Sequence, residues 1–301
     1  MDSVLMRKGG LMVELDEKKC TGCGFCCEEC SAGIFTLSQD ARGGRTVQLG
    51  YLDHCTFCGH CMAVCPEGAL LHRGLPMDEF KDVPGTAIAP DVMRAFLLSR
   101  RSVKAFKEKP VPREVIEQLV EVGIHAGTAS NAQTEGFVVV QDRKLLSELE
   151  GMVLGILWNR MKPLGSAIGR KLAGIKYGKE TIEQSILYYE RFKAKREGGD
   201  TDGLIFHRAP ALIVVHGRRT NFYAHENCAI AARNMEILAA SLGLGTCWAG
   251  FLLRAAGLTE KIGRRLGIPD DRNIYSAIML GYPRHRYRKT IPRKAREVRW
   301  L

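Results

Sequence analysis

The sequence has no apolar run approaching the roughly 20 residues a helix needs to cross a bilayer. Its longer runs, such as residues 210–215, are a fraction of that length, and the N-terminus lacks the charged-then-apolar pattern of a signal peptide with its small-residue cleavage site. Cysteine is nearly missing from most of the chain, since beyond Cys65 only Cys228 and Cys247 remain. That distribution disfavours a disulfide-stapled secreted domain. A glycine-rich dinucleotide-binding turn after a strand is also missing, and no side-chain acid and base stand out as a catalytic pair. The chain is therefore expected to be a soluble, cytoplasmic, globular protein with no membrane partner. Its 46% hydrophobic content can fill a substantial core over 301 residues.

What is present is concentrated. Nine of the eleven cysteines fall between Cys20 and Cys65, and such clustering points to metal. They belong to an internal repeat, KCTGCGFCCEECSAGIFTL at 19–37 beside HCTFCGHCMAVCPEGALLH at 54–72. Cys20, Cys23, Cys26 and Cys30 are spaced by two, two and three residues; Cys55, Cys58, Cys61 and Cys65 repeat the spacing, followed by Pro66. This is the run of the bacterial ferredoxins. Three thiolates on one tight loop can cap three irons of a cubane, while the fourth lies beyond a turn and points away. A structural zinc site, usually two separated cysteine pairs, and a disulfide framework are the competing readings. Resemblance to the two-cluster ferredoxins implies crossed ligation. One 4Fe-4S cluster then takes Cys20, Cys23, Cys26 and Cys65, and the second takes Cys30, Cys55, Cys58 and Cys61. Cys27 reads as a small packed residue, and Ser31 replaces the proline of the pattern without removing a ligand.

Residues 34–49 read as a hairpin with a glycine-containing turn. A Pro- and Gly-rich stretch over 74–90 then breaks the pattern. The domain reading is 1–80 for the two-cluster module, 81–90 for a linker and 91–301 for a larger domain. In the latter, helices are expected to about Ser99, over 112–123 with Pro112 in the first turn, and over 227–242, a segment apolar almost all round. Residues 137–142, 211–217 and 277–283 read as buried strands. Residues 144–196 look helical, with Gly155, Pro163, Gly165, Gly169 and Gly174 as expected interruptions.

Four segments of the larger domain, RRSVKAF at 100–106, ASNAQ at 129–133, AIAARNMEILAASLGLGTCWAG at 229–250 and LGYP at 280–283, resemble the nitroreductase family in its order. The resemblance implies an α+β fold: a ferredoxin-like two-cluster domain followed by a nitroreductase-like domain of helices around a central sheet, with FMN at the interface of a homodimer. FMN carries a phosphate dianion and a ring whose N1/O2 edge becomes negative on reduction, so it needs fixed cations at two places. The resemblance puts Arg100 and Ser102 at the phosphate and ribityl end and Lys104 at the N1/O2 edge. Arg101 is a further candidate, with a solvated charge as its alternative. Asn131 suits the N3/O4 edge, with Ser130 and Gln133 as ribityl or ring contacts. Gly243 and Gly245 permit close backbone approach, and the amides around Gly245, Thr246 and Cys247 suit O4 and N5. Cys247 itself reads as a small buried residue rather than a redox thiol. Arg293, and more weakly Lys289, match the family's phosphate-binding position. The family's aromatic segment after 133 is replaced here by TEGF, which puts the usual substrate contacts in doubt. The insertion over 151–203, rich in tyrosine and basic residues, is open to reading as a cap on the flavin or as a packed surface helix.

A cluster passes single electrons whereas a nitro group, a quinone or an activated double bond takes pairs, so clusters beside a flavin suggest a one-to-two-electron converter. The expected donor is reduced ferredoxin or a similar low-potential protein, drawn by the net charge of +11. The alternatives are NAD(P)H oxidation at the flavin with export of electrons through the clusters, or a redox-sensing binding protein. The basic stretch 284–299 has few aromatics, so a nucleic-acid partner is not expected.

Overall fold

The computed structural model describes residues 12–39, 43–85, 87–199 and 201–301, apart from the side chain of Lys179. The chain folds as two compact units, one running to Ala87 and including Ala129–Ala132, the other formed by Ile88–Thr128 and Gln133–Leu301.

In the first unit the repeat becomes a pair of two-stranded ribbons. β1 (Val13–Leu15), β2 (Phe35–Gln39), β3 (Arg45–Leu49) and β4 (Leu70–His72) pair antiparallel, β1 with β4 and β2 with β3. Two five-residue helices, α1 (Phe25–Glu29) and α2 (His60–Val64), each follow a cysteine loop and touch one another. The strands of the hairpin read at 34–49 lie within that range, while turn residues 40–42 fall outside the described ones. Val13, Ile34, Phe35, Val47, Met62 and Leu70 form the core, and the cysteines pack around it. Glycine is required at Gly22, which has φ 64° and whose Cβ would stand 2.2 Å from the Arg45 carbonyl oxygen. The first cysteine loop thus lies directly on β3.

The second unit is built on an antiparallel sheet. Its elements are α3 (Pro90–Ser99), α4 (Arg113–Ile124), β5 (Gly136–Val140), α5 (Arg143–Met161), α6 (Ala167–Tyr177), α7 (Lys179–Glu197), β6 (Ala211–Arg218), α8 (Ala224–Ser241), β7 (Gly245–Trp248), α9 (Gly250–Ala256), α10 (Lys261–Arg265) and β8 (Arg272–Gly281). The strand order is β5-β6-β8-β7. Alternate residues of β6 feed two cores. Ala211, Ile213 and Val215 pack with α4 and α8, while Leu212 and Val214 pack with α5, α9 and Phe192 of α7. A sheet covered on both faces explains why β6 reads as a continuous apolar run rather than an alternation.

Three elements differ from the sequence reading. The long helical stretch breaks at the turn Lys162–Gly165 and at Gly178, whose φ is 82°, whereas Gly155, Gly169 and Gly174 lie inside helices. Proline at 163 and the left-handed backbone at 178 stop a helix; a glycine with helical dihedrals only weakens one. β7 has no counterpart among the strands expected from the sequence, because GTCW is short and opens on glycine. Finally, α8 is not apolar all round, since it buries Asn227 and Glu236 among its alanines.

Glu150 on α5 holds the segment that leads into β6. Its buried carboxylate accepts from the backbone N–H groups of Gly203 (3.1 Å), Ile205 (2.6 Å) and Phe206 (3.4 Å). The next two residues, His207 and Arg208, have φ of 55° and 56°, a costly conformation that the anchored segment sustains. Glu150→Ala strands these donors and is expected to destabilise the unit by about 2–3 kcal/mol, read as a lowered urea midpoint with unchanged slope.

Candidate functional site

The cysteine loops come first. Left-handed glycines precede both short helices, Gly24 (φ 86°) before α1 and Gly59 (φ 76°) before α2. Cys30 and Cys65 follow the helices in extended conformation. One small cavity is lined by Cys20, Cys23, Cys26 and Cys65, with Pro66 and Val47 beside them. It therefore unites three cysteines of the first run with the fourth of the second. Cys30, Cys55, Cys58 and Cys61 form the other neighbourhood. Burial first, and then the charges of Cys58 and Cys30, push the Cys55 thiol up; the same groups and Cys55 act on Cys61, which burial pushes up to about 11. Burial likewise pushes Cys26 up to about 12 and raises Cys27, a partly buried neighbour of Cys26. Backbone N–H groups point at sulfur, from Ala69 to Cys65 Sγ (3.3 Å) and from Phe57 to Cys55 Sγ (3.4 Å).

This donor set fits an iron-sulfur group. All eleven cysteines are free, the buried thiols are unstable as thiolates without a compensating cation, and metal binding releases their protons. Among the described residues no three His, Cys, Asp or Glu side chains converge as ligands of one metal ion.

In the second unit, residues 100–107 form an extended strap. Val103 N donates to Thr246 O (2.9 Å) and Lys107 N to Tyr282 O (2.8 Å), while Arg284 N donates back to Ala105 O (2.9 Å). Val103 and Phe106 point into the core, leaving Ser102 and Lys104 exposed beside β7. Gly245 makes this possible, because a Cβ there would stand 2.5 Å from Val103 Cγ2. Gly245→Ala should push the strap off β7, costing about 1–3 kcal/mol. FMN retained through gel filtration should fall with it.

The strap brings Arg100, Ser102 and Lys104 to Thr246 and Cys247. Burial raises the Cys247 thiol, against the lowering by Lys104 and the Ser102 hydrogen bond. A thiol held neutral in this way suits the reading of a buried packing residue. Arg100 is lowered by burial and supported by Glu236, to which Nη1 donates at 2.9 Å. Arg101 turns away, its Nη1 donating to the carbonyls of Leu98 (2.8 Å) and Arg100 (2.7 Å), so it closes the end of α3.

Ser130, Asn131 and Gln133 share left-handed backbones, with φ of 53°, 51° and 45°. Strain concentrated in this way is typical of a functional loop. Ser130 and Asn131 belong to the first unit by their contacts, and the Asn131 amide donates to the carbonyls of Thr56 (3.0 Å) and Phe57 (2.8 Å) in the second cysteine loop. Gln133 is exposed, its N–H donating to Thr128 Oγ1 (3.1 Å). Lys289 and Arg293 lie in the exposed segment after β8, and among the described residues no hydrogen bond or ion pair ties either one down.

Two site residues escaped the sequence reading. Glu236, 2% exposed, accepts from Arg100, from Thr246 Oγ1 (3.0 Å) and from Trp248 Nε1 (3.1 Å), with Arg233 at 3.5 Å. His207 is lowered by burial and then by the charges of Lys104 and Arg191, which marks it as a neighbour of the strap. A single acid in an apolar helix was the available signal for Glu236; His207 had none. The insertion helices α5–α7 and α9 wall a groove of about 610 Å³ whose lining includes Leu157, Tyr177, Tyr188 and Phe251, with Arg160, Lys176 and Arg254. Among the described residues no helix is long and apolar enough to cross a membrane.

The model of the nitroreductase family matches residues 97–282, and that of a 4Fe-4S dicluster domain matches residues 19–70. A nitroreductase from Bacteroides fragilis, solved with bound FMN, is 23% identical and covers 71% of this chain and all of its own, with a TM-score of 0.51. An Archaeoglobus fulgidus protein provisionally named NADH dehydrogenase/NAD(P)H nitroreductase is 23% identical over 193 residues, 62% of this chain and 83% of its own length. Ferredoxin-3 of Rhodobacter capsulatus is 26% identical over 100 residues, 25% of this chain and 99% of the ferredoxin. Since the strap, α8 and β7 all lie inside a match that spans well over half of the chain, the protein belongs to the nitroreductase family and carries a 4Fe-4S dicluster-type domain ahead of it.

Proposed function

We propose that the chain is an FMN- and iron-sulfur-dependent reductase that takes electrons from reduced ferredoxin or a similar low-potential donor and delivers them to a small electron-poor acceptor. The observation that carries this reading is one cavity formed by cysteines of both repeat copies, in a chain whose larger part belongs to a flavoprotein-type oxidoreductase family. The domain assignment that goes with it is 1–80 for the two-cluster domain, 81–90 for the linker and 91–301 for the FMN domain. The two 4Fe-4S clusters supply one-electron carriers, and FMN supplies the exchange with two-electron chemistry.

Cys20, Cys23, Cys26 and Cys65 would hold one cluster and Cys30, Cys55, Cys58 and Cys61 the other. Arg100 and Ser102 would bind the phosphate and ribityl end, and the Lys104 ammonium would stabilise negative charge at the N1/O2 edge. Backbone amides of Gly245, Thr246 and Cys247 would orient the ring, and Glu236 holds Arg100 in place for the cofactor. Arg293 and Lys289 lie in a tail that suits phosphate contacts across a homodimer, which is part of the proposal. Phe251, three residues after β7, lines the groove between the insertion helices and α9, whose aromatic, partly basic lining suits a planar electron-poor acceptor such as a nitro compound or quinone. Clustered free thiols suit a reducing compartment, hence a cytoplasmic location. The name of the Archaeoglobus relative favours a second reading, in which NAD(P)H is the donor.

The test is the iron, acid-labile sulfide and FMN content of anaerobically purified protein, with spectra before and after addition of reduced ferredoxin, NADH or NADPH. About eight irons and one FMN per chain, with bleaching by ferredoxin that slows at high salt, are expected. Zinc in place of iron, or a chain that takes up no flavin, would overturn the proposal. Bleaching by NAD(P)H alone would replace the donor.

A further inference from the structure

The internal repeat is not symmetric where it meets the clusters. His72 in the second copy stands where the first copy has Leu37, and Phe57 where the first has Gly22. His72 ends β4 opposite Val13, and its side chain is buried, 1% exposed. Both ring nitrogens are engaged. The Gly74 N–H donates to Nδ1 (3.0 Å), which makes Nδ1 an acceptor and leaves the ring proton on Nε2. Nε2 lies 3.4 Å from Cys55 Sγ. The tautomer is therefore fixed by the backbone, and the remaining N–H is aimed at sulfur.

The surroundings hold the ring in this pose. Phe57 packs against it at 5.0 Å between centroids with a 58° tilt, and the Phe57 N–H is itself directed at Cys55 Sγ. Gly74 has to be glycine, since a Cβ there would stand 2.6 Å from Phe57 Cε1 and 3.1 Å from His72 Cε1. The corresponding Leu37 of the first copy is 37% exposed and carries no N–H, so the buried polar ring is particular to the second copy. A buried N–H without an acceptor costs about 1–3 kcal/mol, and among the described residues the Cys55 sulfur is the acceptor within reach of Nε2.

We infer that His72 is a positioning residue for the second cluster, donating Nε2–H to the Cys55 thiolate and raising that cluster's reduction potential above that of the first. The inference rests on the reading of Cys55 as a cluster ligand. A hydrogen bond to a ligating sulfur favours the more negative, reduced cluster. Leu37 offers the first cluster no such donor, so an electron given to the pair settles on the cluster of Cys30, Cys55, Cys58 and Cys61.

The experiment is an EPR-monitored redox titration of the intact, cofactor-loaded chain, comparing wild type with His72→Leu and His72→Gln at equal iron content. In His72→Leu the reduced-to-oxidised ratio of one cluster at a fixed ambient potential should fall about threefold to tenfold, tenfold being about 59 mV for a one-electron centre. The other cluster should not move, and His72→Gln, which keeps an N–H donor, should recover much of the loss. Unchanged potentials in His72→Leu, or equal shifts in both clusters, overturn the inference. Wild-type protein that binds no iron overturns instead the cluster reading on which it rests. Because the leucine variant can fail to load, a second measurement uses wild-type His72 in a chain whose exposed His54 and His60 are replaced by glutamine. With ¹⁵N-labelled histidine, pulsed EPR should resolve a nitrogen coupling on one cluster; its absence overturns the inference.

Discussion

Cys65→Ala is expected to remove the same cluster as Cys20→Ala and to leave the one that Cys30→Ala removes. Iron should fall from about eight to about four per chain in each single variant, and the low-temperature EPR signals should sort the variants into two classes. The argument is the cavity that joins Cys20, Cys23 and Cys26 to Cys65, although Cys55, Cys58 and Cys61 are nearer to Cys65 in sequence. The extended backbone of Cys65 after α2, with ψ of 111°, carries its sulfur out of its own loop, and the Ala69 N–H meets that sulfur at 3.3 Å. Loss of one ligand leaves three thiolates with an open iron corner, buried beside Val47 and Leu70, where water is a poor substitute. Grouping of Cys65→Ala with Cys55→Ala would mean ligation within each run and would sink the crossed assignment.

The two cysteine runs were legible in the sequence because ligand spacing is a local property, two, two and three residues around a tight loop, whereas the crossed set is what the resemblance to the two-cluster ferredoxins implies. Arg100, Ser102 and Lys104 were picked out through the resemblance of residues 100–106 to the nitroreductase family, whereas the extended path of the strap rests on long-range pairing with Thr246 and Tyr282. Glu236 was not legible, because its meaning lies in partners drawn from elsewhere, Arg100 being 136 positions away. Helical periodicity marks α8 as a largely apolar element and does not separate the buried Glu236 from Glu226 in its first turn. Asn131 shows the opposite limit. Its amide suits the flavin edge by chemistry, and its left-handed backbone and hydrogen bonds to the Thr56 and Phe57 carbonyls are features that no composition or period specifies. The insertion is intermediate. Its helices were read, but Gly178, where the φ of 82° ends α6, looks in sequence like every other glycine there.

Glu236→Ala should be the most destabilising single change in the second unit, at about 3–5 kcal/mol, the range for breaking a buried ion pair by removing one partner. The Arg100 side chain is 21% exposed and that of Glu236 2% exposed, so Arg100 would remain largely buried without its counter-charge. Thr246 Oγ1 and Trp248 Nε1 would lose their acceptor in the same step. The urea midpoint, followed by tryptophan fluorescence, should drop well below that of wild type. FMN retention should fall as well, because among the described residues this carboxylate is the partner of the Arg100 side chain. Glu236→Gln keeps the volume but forces an N–H donor among donors, so it should fall between the two. The double variant Glu236→Met with Arg100→Met removes the stranded charge and should recover a large part of the stability without recovering FMN binding. Stability then reports the pair, whereas FMN binding reports the cation. If Glu236→Ala unfolded at the wild-type midpoint, Arg100 would have to reach solvent freely, and a preformed cationic site on the strap would be wrong.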